Sequence, residues 1–84
     1  MSQFDKLLSR MLKVPGDFTY DEARSILMHL GYVEKTKGNS SGSRVAFVRG
    51  DLKILLHKPH NPTIMRRYQI EDLIEHLRGN GFIE

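Results

Sequence analysis

The sequence contains no cysteine, only three prolines and no long apolar run. Without cysteine the chain can form neither a disulfide framework nor a thiolate metal site. No segment approaches the roughly 18 apolar residues that suggest a membrane span, and the N-terminus lacks the pattern of a secretory signal. We therefore expect a cytoplasmic protein that does not associate with membranes.

The chain is also short. Its 84 residues can bury one modest core, which predicts a single domain over residues 1–84 and a function carried on the surface of that domain.

Positive charge is concentrated in the middle of the chain. Residues 35–67 carry a net charge of +7, whereas the rest of the chain carries −4. The basic residues of this middle segment, set against Asp51 alone, are Lys35, Lys37, Arg44, Arg49, Lys53, Lys58, Arg66 and Arg67. A basic centre between acidic flanks is typical of a protein that binds a polyanion. The alternative is that these are ordinary solvated side chains.

Three segments have apolar residues at the helical spacing i, i+3, i+4, i+7. They are Phe4/Leu7/Leu8/Met11, Ala23/Ile26/Leu27/Leu30 and Ile70/Leu73/Ile74/Leu77. The first predicts an N-terminal helix over about residues 2–12, which ends before the turn Pro15-Gly16-Asp17. Each stripe is expected to cover a shared core.

The ends of these helices carry signals of their own. Thr19 and Glu22 have the spacing of a capping box, which predicts the start of the second helix. Gly31 and Gly79 are expected to end the second and third helices in the left-handed conformation.

Between the second and third helices the apolar period changes to two, which indicates strands. We expect a short strand over 32–37, a flexible loop over 38–42, and two further strands over 44–49 and 52–57. Gly50-Asp51 then forms a tight hairpin turn between the last two strands.

This turn predicts a register in which the numbers of paired residues add to 101. Val45 then faces Leu56 and Phe47 faces Ile54, so one side of the sheet is apolar and suited to cover by helices. The other side is mixed. The predicted architecture is α+β, in the order α-α-β-β-β-α, with a three-stranded antiparallel sheet and the helices packed on one face.

The same register places Arg44 directly opposite His57 on the mixed face. Cleavage of RNA without a metal needs a base for the ribose 2′-hydroxyl, a cation for the phosphate and an acid for the leaving oxygen. Histidine can act as base or acid, and arginine can hold phosphate oxygens. The catalytic candidates are therefore His57, Arg44 and nearby His60. The alternative is that His57 merely ends one strand and Arg44 merely begins another.

Other residues fit contacts with RNA. Lys58, Arg66 and Arg67 are suited to phosphate binding, and Lys53 shares the face of His57. Tyr68 could stack on a base, although packing at the start of the third helix is favoured.

The remaining histidines suggest no further site. A zinc site at His57 and His60 is disfavoured because no third ligand is near, so we expect no metal or cofactor. His29 and His76 are expected to be solvated.

Three strings in order, Gly42-Ser43-Arg44-Val45-Ala46-Phe47, Leu55-Leu56-His57-Lys58-Pro59-His60-Asn61-Pro62 and Arg67-Tyr68-Gln69-Ile70, resemble the HicA toxin family over about residues 18–78. The resemblance implies a fold like that of double-stranded-RNA-binding domains (dsRBD-like), with one extra N-terminal helix. It also implies cleavage of mRNA, neutralisation by a HicB-like antitoxin, and an RNA contact by Ser43. Family members carry a catalytic histidine where this sequence has Arg44, so either activity is lost or His57 carries the proton chemistry.

Three functional hypotheses follow. The first is a HicA-like endoribonuclease that inhibits translation and growth. The second is an RNA-binding domain of the same fold without catalysis. The third is a protein-interaction domain that docks a partner on the apolar stripe of its N-terminal helix, although that stripe is expected to cover the domain's own core.

Overall fold

A computed structural model of the chain describes residues 3–35, 44–57 and 64–83, with the side chain of Arg44 excepted. Its elements are α1 (Gln3–Leu12), α2 (Tyr20–His29), β1 (Val33–Lys35), β2 (Arg44–Arg49), β3 (Leu52–His57) and α3 (Arg67–Gly79). The predicted α+β class and the order α-α-β-β-β-α are confirmed.

The connection between α1 and α2 is held by hydrogen bonds that the sequence predicts in part. The Thr19 hydroxyl accepts from the Glu22 amide at 3.2 Å, and the Glu22 carboxylate accepts from the Thr19 amide at 3.0 Å. This confirms the capping box, which satisfies two of the amides left open at a helix N-terminus. Arg10 of α1 extends the arrangement, because its Nε donates to Glu22 at 2.8 Å and its guanidinium lies 2.9 Å from Asp17.

Of the two glycines predicted to end helices, one is confirmed and the other is not. Gly31 follows α2 with a φ of 95°, as expected of a left-handed residue after a helix. Gly79, in contrast, is the last helical residue of α3, and the left-handed residue is Gly81, with a φ of 81°. The prediction for Gly79 is wrong because the Asn80 amide still bonds to the His76 carbonyl at 3.2 Å, so the helix turns away only after it.

The sheet has the strand order β1-β2-β3 and is antiparallel throughout. Every predicted pair of the hairpin is present, from Arg44 opposite His57 to Arg49 opposite Leu52. Gly50 supplies the positive φ, 59°, that the two-residue turn needs. Of the strand predicted over 32–37, the structure describes β1; the predicted loop over 38–42 lies outside the described residues.

The helices cover one face of this sheet, as predicted. Val45, Phe47, Ile54 and Leu56 point towards them and are buried. The other buried apolar residues are Met11, Phe18, Tyr20, Ala23, Ile26, Leu27, Tyr32, Met65, Ile70, Leu73, Ile74 and Leu77. Most belong to the three predicted helical stripes, so burial of these stripes is the main force that assembles the domain.

The apolar stripe of α1 packs on the rest of the domain. Met11 is fully buried, and Phe4, Leu7 and Leu8 are partly buried against the core. This is the packing on the domain's own core that the sequence favours for the stripe.

The segment before α3 is fixed by contacts that the sequence did not predict. Ile64 forms an isolated antiparallel bridge with Thr19, and the Met65 amide donates to the Phe18 carbonyl at 2.8 Å. The Met65 side chain is buried. These contacts anchor the first turn of α3 beside the end of β3, where the predicted site residues lie.

Candidate functional site at the end of the central hairpin

The hairpin brings two of the three catalytic candidates to one point of the sheet. The backbones of Arg44 and His57 pair directly, and the His57 side chain is exposed on the face that carries no helices. Ser43, Lys58 and His60 lie outside the described residues, as does the side chain of Arg44. The described part of the predicted catalytic set is therefore His57, together with the backbone position of Arg44.

A hydrogen bond ties His57 to α3. The His57 backbone N–H donates to the Gln69 side-chain oxygen at 2.8 Å, across the edge of β3. Because the partner is a donor, the amide atom that faces it must be the oxygen, which fixes the orientation of the Gln69 side chain.

The other half of this amide has no partner among the residues that the structure describes. Gln69 is 5% exposed, and its Nε2 is buried without a hydrogen bond. An unsatisfied buried donor costs about 1–3 kcal/mol, so native structures contain few of them and each calls for a physical reason.

A cleft of about 290 Å³ opens beside this hydrogen bond, between the edge of β3 and the first two turns of α3. We call it the His57 cleft; it is lined by Leu55, Leu56, His57, Tyr68, Gln69 and Asp72. Tyr68 and Leu55 are 56% and 50% exposed, so two large apolar surfaces border the opening. The sequence favoured packing of Tyr68 at the start of the third helix, but more than half of this residue is exposed, because it lies on α3 outside the stripe that begins at Ile70.

Two of the predicted phosphate-binding residues lie at the beginning of α3. Arg66 is the N-cap residue, makes no side-chain cap, and is followed by Arg67, while the first turn contains no acidic residue. Both arginines are exposed. Positive side chains here add to the positive end of the helix macrodipole, an arrangement that is unfavourable alone and favourable beside an anion.

The other described basic residues of the middle segment differ in whether their side chains make contacts within the fold. Lys53 and Lys35 are exposed on the open face of the sheet. Arg49, in contrast, donates from Nε to the Leu30 carbonyl at 2.9 Å and lies 5.1 Å above the Phe82 ring. Arg49 thus has a structural role, which lowers the number of cations available to a ligand.

The two histidines outside the middle segment differ from each other. His29 is exposed and stacks on Phe4, with ring centroids 4.0 Å apart. His76 is not solvated as predicted, because the Tyr32 hydroxyl lies 2.8 Å from its Nε2. Burial lowers the pKa of His76. Among residues 3–35, 44–57 and 64–83 there is no cluster of three or more His, Asp or Glu side chains able to hold a metal ion.

The site therefore includes two residues that sequence reasoning missed, Gln69 and Asp72. Gln69 directly precedes Ile70, the first residue of the apolar stripe, so its helical position indicated partial burial. Asp72 lies four residues after Tyr68 and therefore on the same side of the helix. What the sequence could not supply was the angle at which α3 meets β3.

Comparison with known proteins finds no matching family model, no similar curated protein and no similar solved structure. Within the part of the chain that the structure describes, no helix is long and apolar enough to cross a membrane.

Proposed function

We propose that this chain is an RNA-binding endoribonuclease of the HicA type, with a dsRBD-like fold and no need for a metal ion or cofactor. One observation carries the proposal. A histidine at the end of a strand, His57, is tethered by a 2.8 Å hydrogen bond to the first turn of a helix whose N-terminus bears two exposed arginines. This bond supports the proposal of a proton-transferring group beside a phosphate site, because it holds the His57 backbone against the first turn of α3.

The beginning of α3 favours a phosphate for two reasons that reinforce each other. Its first amides point out of the helix without a side-chain cap, and Arg66 and Arg67 add full positive charges. Arg67 also lies 3.3 Å from Glu71, but both side chains are largely exposed, so this ion pair is weak and a phosphate can compete for the arginine. Lys53 provides a further contact on the sheet side.

The reaction that fits is attack of a ribose 2′-hydroxyl on the adjacent phosphorus. A base takes the 2′-proton, the 2′-oxygen bonds to phosphorus, and the bond from phosphorus to the 5′-oxygen breaks. An acid returns a proton to that oxygen, which leaves a cyclic phosphate and a 5′-hydroxyl end. We assign the base or acid role to His57, with His60 as its partner, because histidine exchanges protons near neutral pH.

Arg44 is assigned to the phosphate rather than to proton transfer. Its backbone pairs with that of His57, which sets their Cβ atoms about 4.5–5.5 Å apart in a regular sheet. Arginine stays protonated at all relevant pH values and can hold two phosphate oxygens at once. His57 then takes over the chemistry that the family resemblance assigns to a histidine at position 44.

The proposed partners follow from the same resemblance. The substrate is mRNA, whose cleavage would stop translation and growth in the cytoplasm. A HicB-like antitoxin would neutralise the chain by covering the exposed His57 cleft and the arginines beside it.

The test is cleavage of mRNA by the purified chain and by its His57→Ala variant. We expect the variant to lose about 10²-fold or more of the cleavage rate, the usual contribution of a general acid or base, and to lose growth inhibition. His29→Ala is the matched control, because it removes an exposed histidine from α2, outside the cleft. Circular dichroism checks that both variants keep the fold. Full activity of a folded His57→Ala variant would refute the assignment.

A non-catalytic RNA-binding domain is the second candidate, and the presence of Arg44 favours it. That candidate predicts RNA binding that weakens steeply with salt, and RNA that stays whole at every pH tested. The same preparations distinguish the two candidates, since both predict binding and only the first predicts cleavage.

A further inference from the structure

The His57 cleft contains features that phosphate binding does not explain. Asp72 places a carboxylate in it, which repels a phosphate. Tyr68 offers more than half of its surface, and Leu55 offers half of its own on the opposite, sheet side. A planar, uncharged and partly apolar ligand fits such a lining better than an anion does.

The polar groups of the cleft define the ligand further. The Gln69 side chain lines it, is buried, and has an amide nitrogen without a hydrogen-bond partner. Its oxygen already accepts from the His57 amide, so the group of this side chain that lacks a partner is a donor. Asp72 can only accept when ionised. The ligand must therefore present an acceptor and a donor side by side.

Nucleic-acid bases have such edges, and their rings have the flat faces that stack on tyrosine. Guanine matches most fully. Its O6 accepts one hydrogen bond, and its N1–H and N2–H₂ groups both donate, so that one carboxylate can accept two bonds. Adenine, cytosine and uracil can each give a carboxylate fewer N–H groups along the same edge.

We propose that the His57 cleft binds one unstacked base of an RNA strand, with a preference for guanine. Tyr68 stacks on the ring, Asp72 accepts from N1 and N2, and Gln69 Nε2 donates to O6. This inference rests on the proposed function, since it names the base that lies beside the phosphate contacts of Arg66 and Arg67.

Access to the Gln69 nitrogen requires a side chain at the edge of the cleft to move. Tyr68 is adjacent in the helix and more than half exposed, so it has room to change rotamer as a base enters. Binding would then give the unpaired Nε2 an acceptor, which gives a physical reason for a buried glutamine where an apolar residue would pack without an unsatisfied group.

The test uses RNA that cannot be cleaved. Fluorescein-labelled uridine octamers with 2′-O-methyl riboses, carrying one central guanosine, adenosine or uridine, are titrated with the protein and followed by anisotropy. We expect the guanosine octamer to bind at least about fivefold more tightly than the other two, the lower end of what a good bidentate base contact contributes.

Variants link this preference to the cleft. Asp72→Asn should abolish the guanosine preference, because an amide presents a donor to the guanine N–H groups. Glu75→Gln is the matched control, since it makes the same carboxylate-to-amide change on the same helix without altering the lining of the cleft. Tyr68→Leu should weaken all three octamers, whereas Tyr68→Phe should not.

A second measurement is independent of affinity. The chain has five side-chain amides, those of two glutamines and three asparagines, so their nitrogen–proton signals can be assigned one by one. Addition of guanosine monophosphate should shift the Gln69 signal, and uridine monophosphate should not.

The outcomes separate this inference from the proposed function. Equal, salt-dependent binding of the three octamers, with an unmoved Gln69 signal, would overturn the base site and leave RNA binding intact. Absence of any RNA binding would overturn both. A guanosine preference that survives in Asp72→Asn would place base recognition elsewhere and refute the site.

Discussion

Replacement of Gln69 by methionine measures how much the unpaired amide nitrogen in the His57 cleft destabilises the fold. Methionine has a similar length and no polar group on its side chain. The variant loses the 2.8 Å bond from the His57 amide to Gln69, and it also removes the buried Nε2 that has no partner.

These two changes have opposite signs. The lost bond is only part-buried and contributes about 0.5–1.5 kcal/mol. Removal of the unsatisfied donor returns about 1–3 kcal/mol, and the apolar side chain gains from burial. We therefore expect the free energy of unfolding of Gln69→Met to equal that of the wild type or to exceed it by about 1–2 kcal/mol.

Chemical denaturation with urea measures this difference, and Gln69→Glu provides the contrast. The glutamate can still accept from His57, but it replaces the unpaired donor by a carboxylate oxygen in a site that is 5% exposed. That variant should lose more than about 2 kcal/mol at pH 7, because a buried charge without a partner is costly. A loss of more than about 2 kcal/mol in Gln69→Met would refute the reasoning, since it would mean that both ends of the amide stabilise the fold.

Two further predictions concern the frame around the site. Thr19→Ala removes the acceptor of the Glu22 amide and should lower the free energy of unfolding by about 1 kcal/mol, measured in urea, whereas Thr19→Ser should restore it. Burial lowers the pKa of His76, so the folded state binds a proton less readily than the unfolded state. The melting temperature should therefore fall as the pH drops below about 6.5. This pH dependence of the melting temperature should become weaker in His76→Gln. An unchanged pH dependence in that variant would contradict the role given to His76.

The sequence predicts the hairpin in full because its determinants are local. A two-residue turn at Gly50 and Asp51 leaves one register that keeps Phe47 and Ile54 on the same side, and that register is the one observed. The capping box at Thr19 and Glu22 was predictable for the same reason, since both partners lie within one turn of helix.

The parts that could not be predicted depend on elements distant in sequence. The bond from His57 to Gln69 requires α3 to dock at the edge of β3, and that docking is set in part by the backbone bond between Met65 and Phe18. His76 lies on a flank of α3 that looks solvated until Tyr32, more than forty residues earlier, brings its hydroxyl to it. Helical periodicity gives the face of a residue but not the neighbour that the face meets.

The same long-range contacts change the meaning of the basic middle segment. Its net charge of +7 includes Arg49, which is used to hold Leu30 and Phe82, and Arg67, which Glu71 partly offsets. Among the described residues, Lys53 on β3 and Arg66 directly before α3 are exposed cations on or beside the two elements that border the His57 cleft.

Asp72, in contrast, lines the cleft itself, which neither of these two cations does. A phosphate is attracted by the cations outside the cleft and repelled by Asp72 within it, whereas a base carries no net charge and meets no such repulsion. A single strand that crosses this surface meets less repulsion with a base than with a phosphate beside Asp72. For this reason, removal of Lys53 or Arg66 should act on the salt dependence of binding, and removal of Asp72 should act on the choice of base.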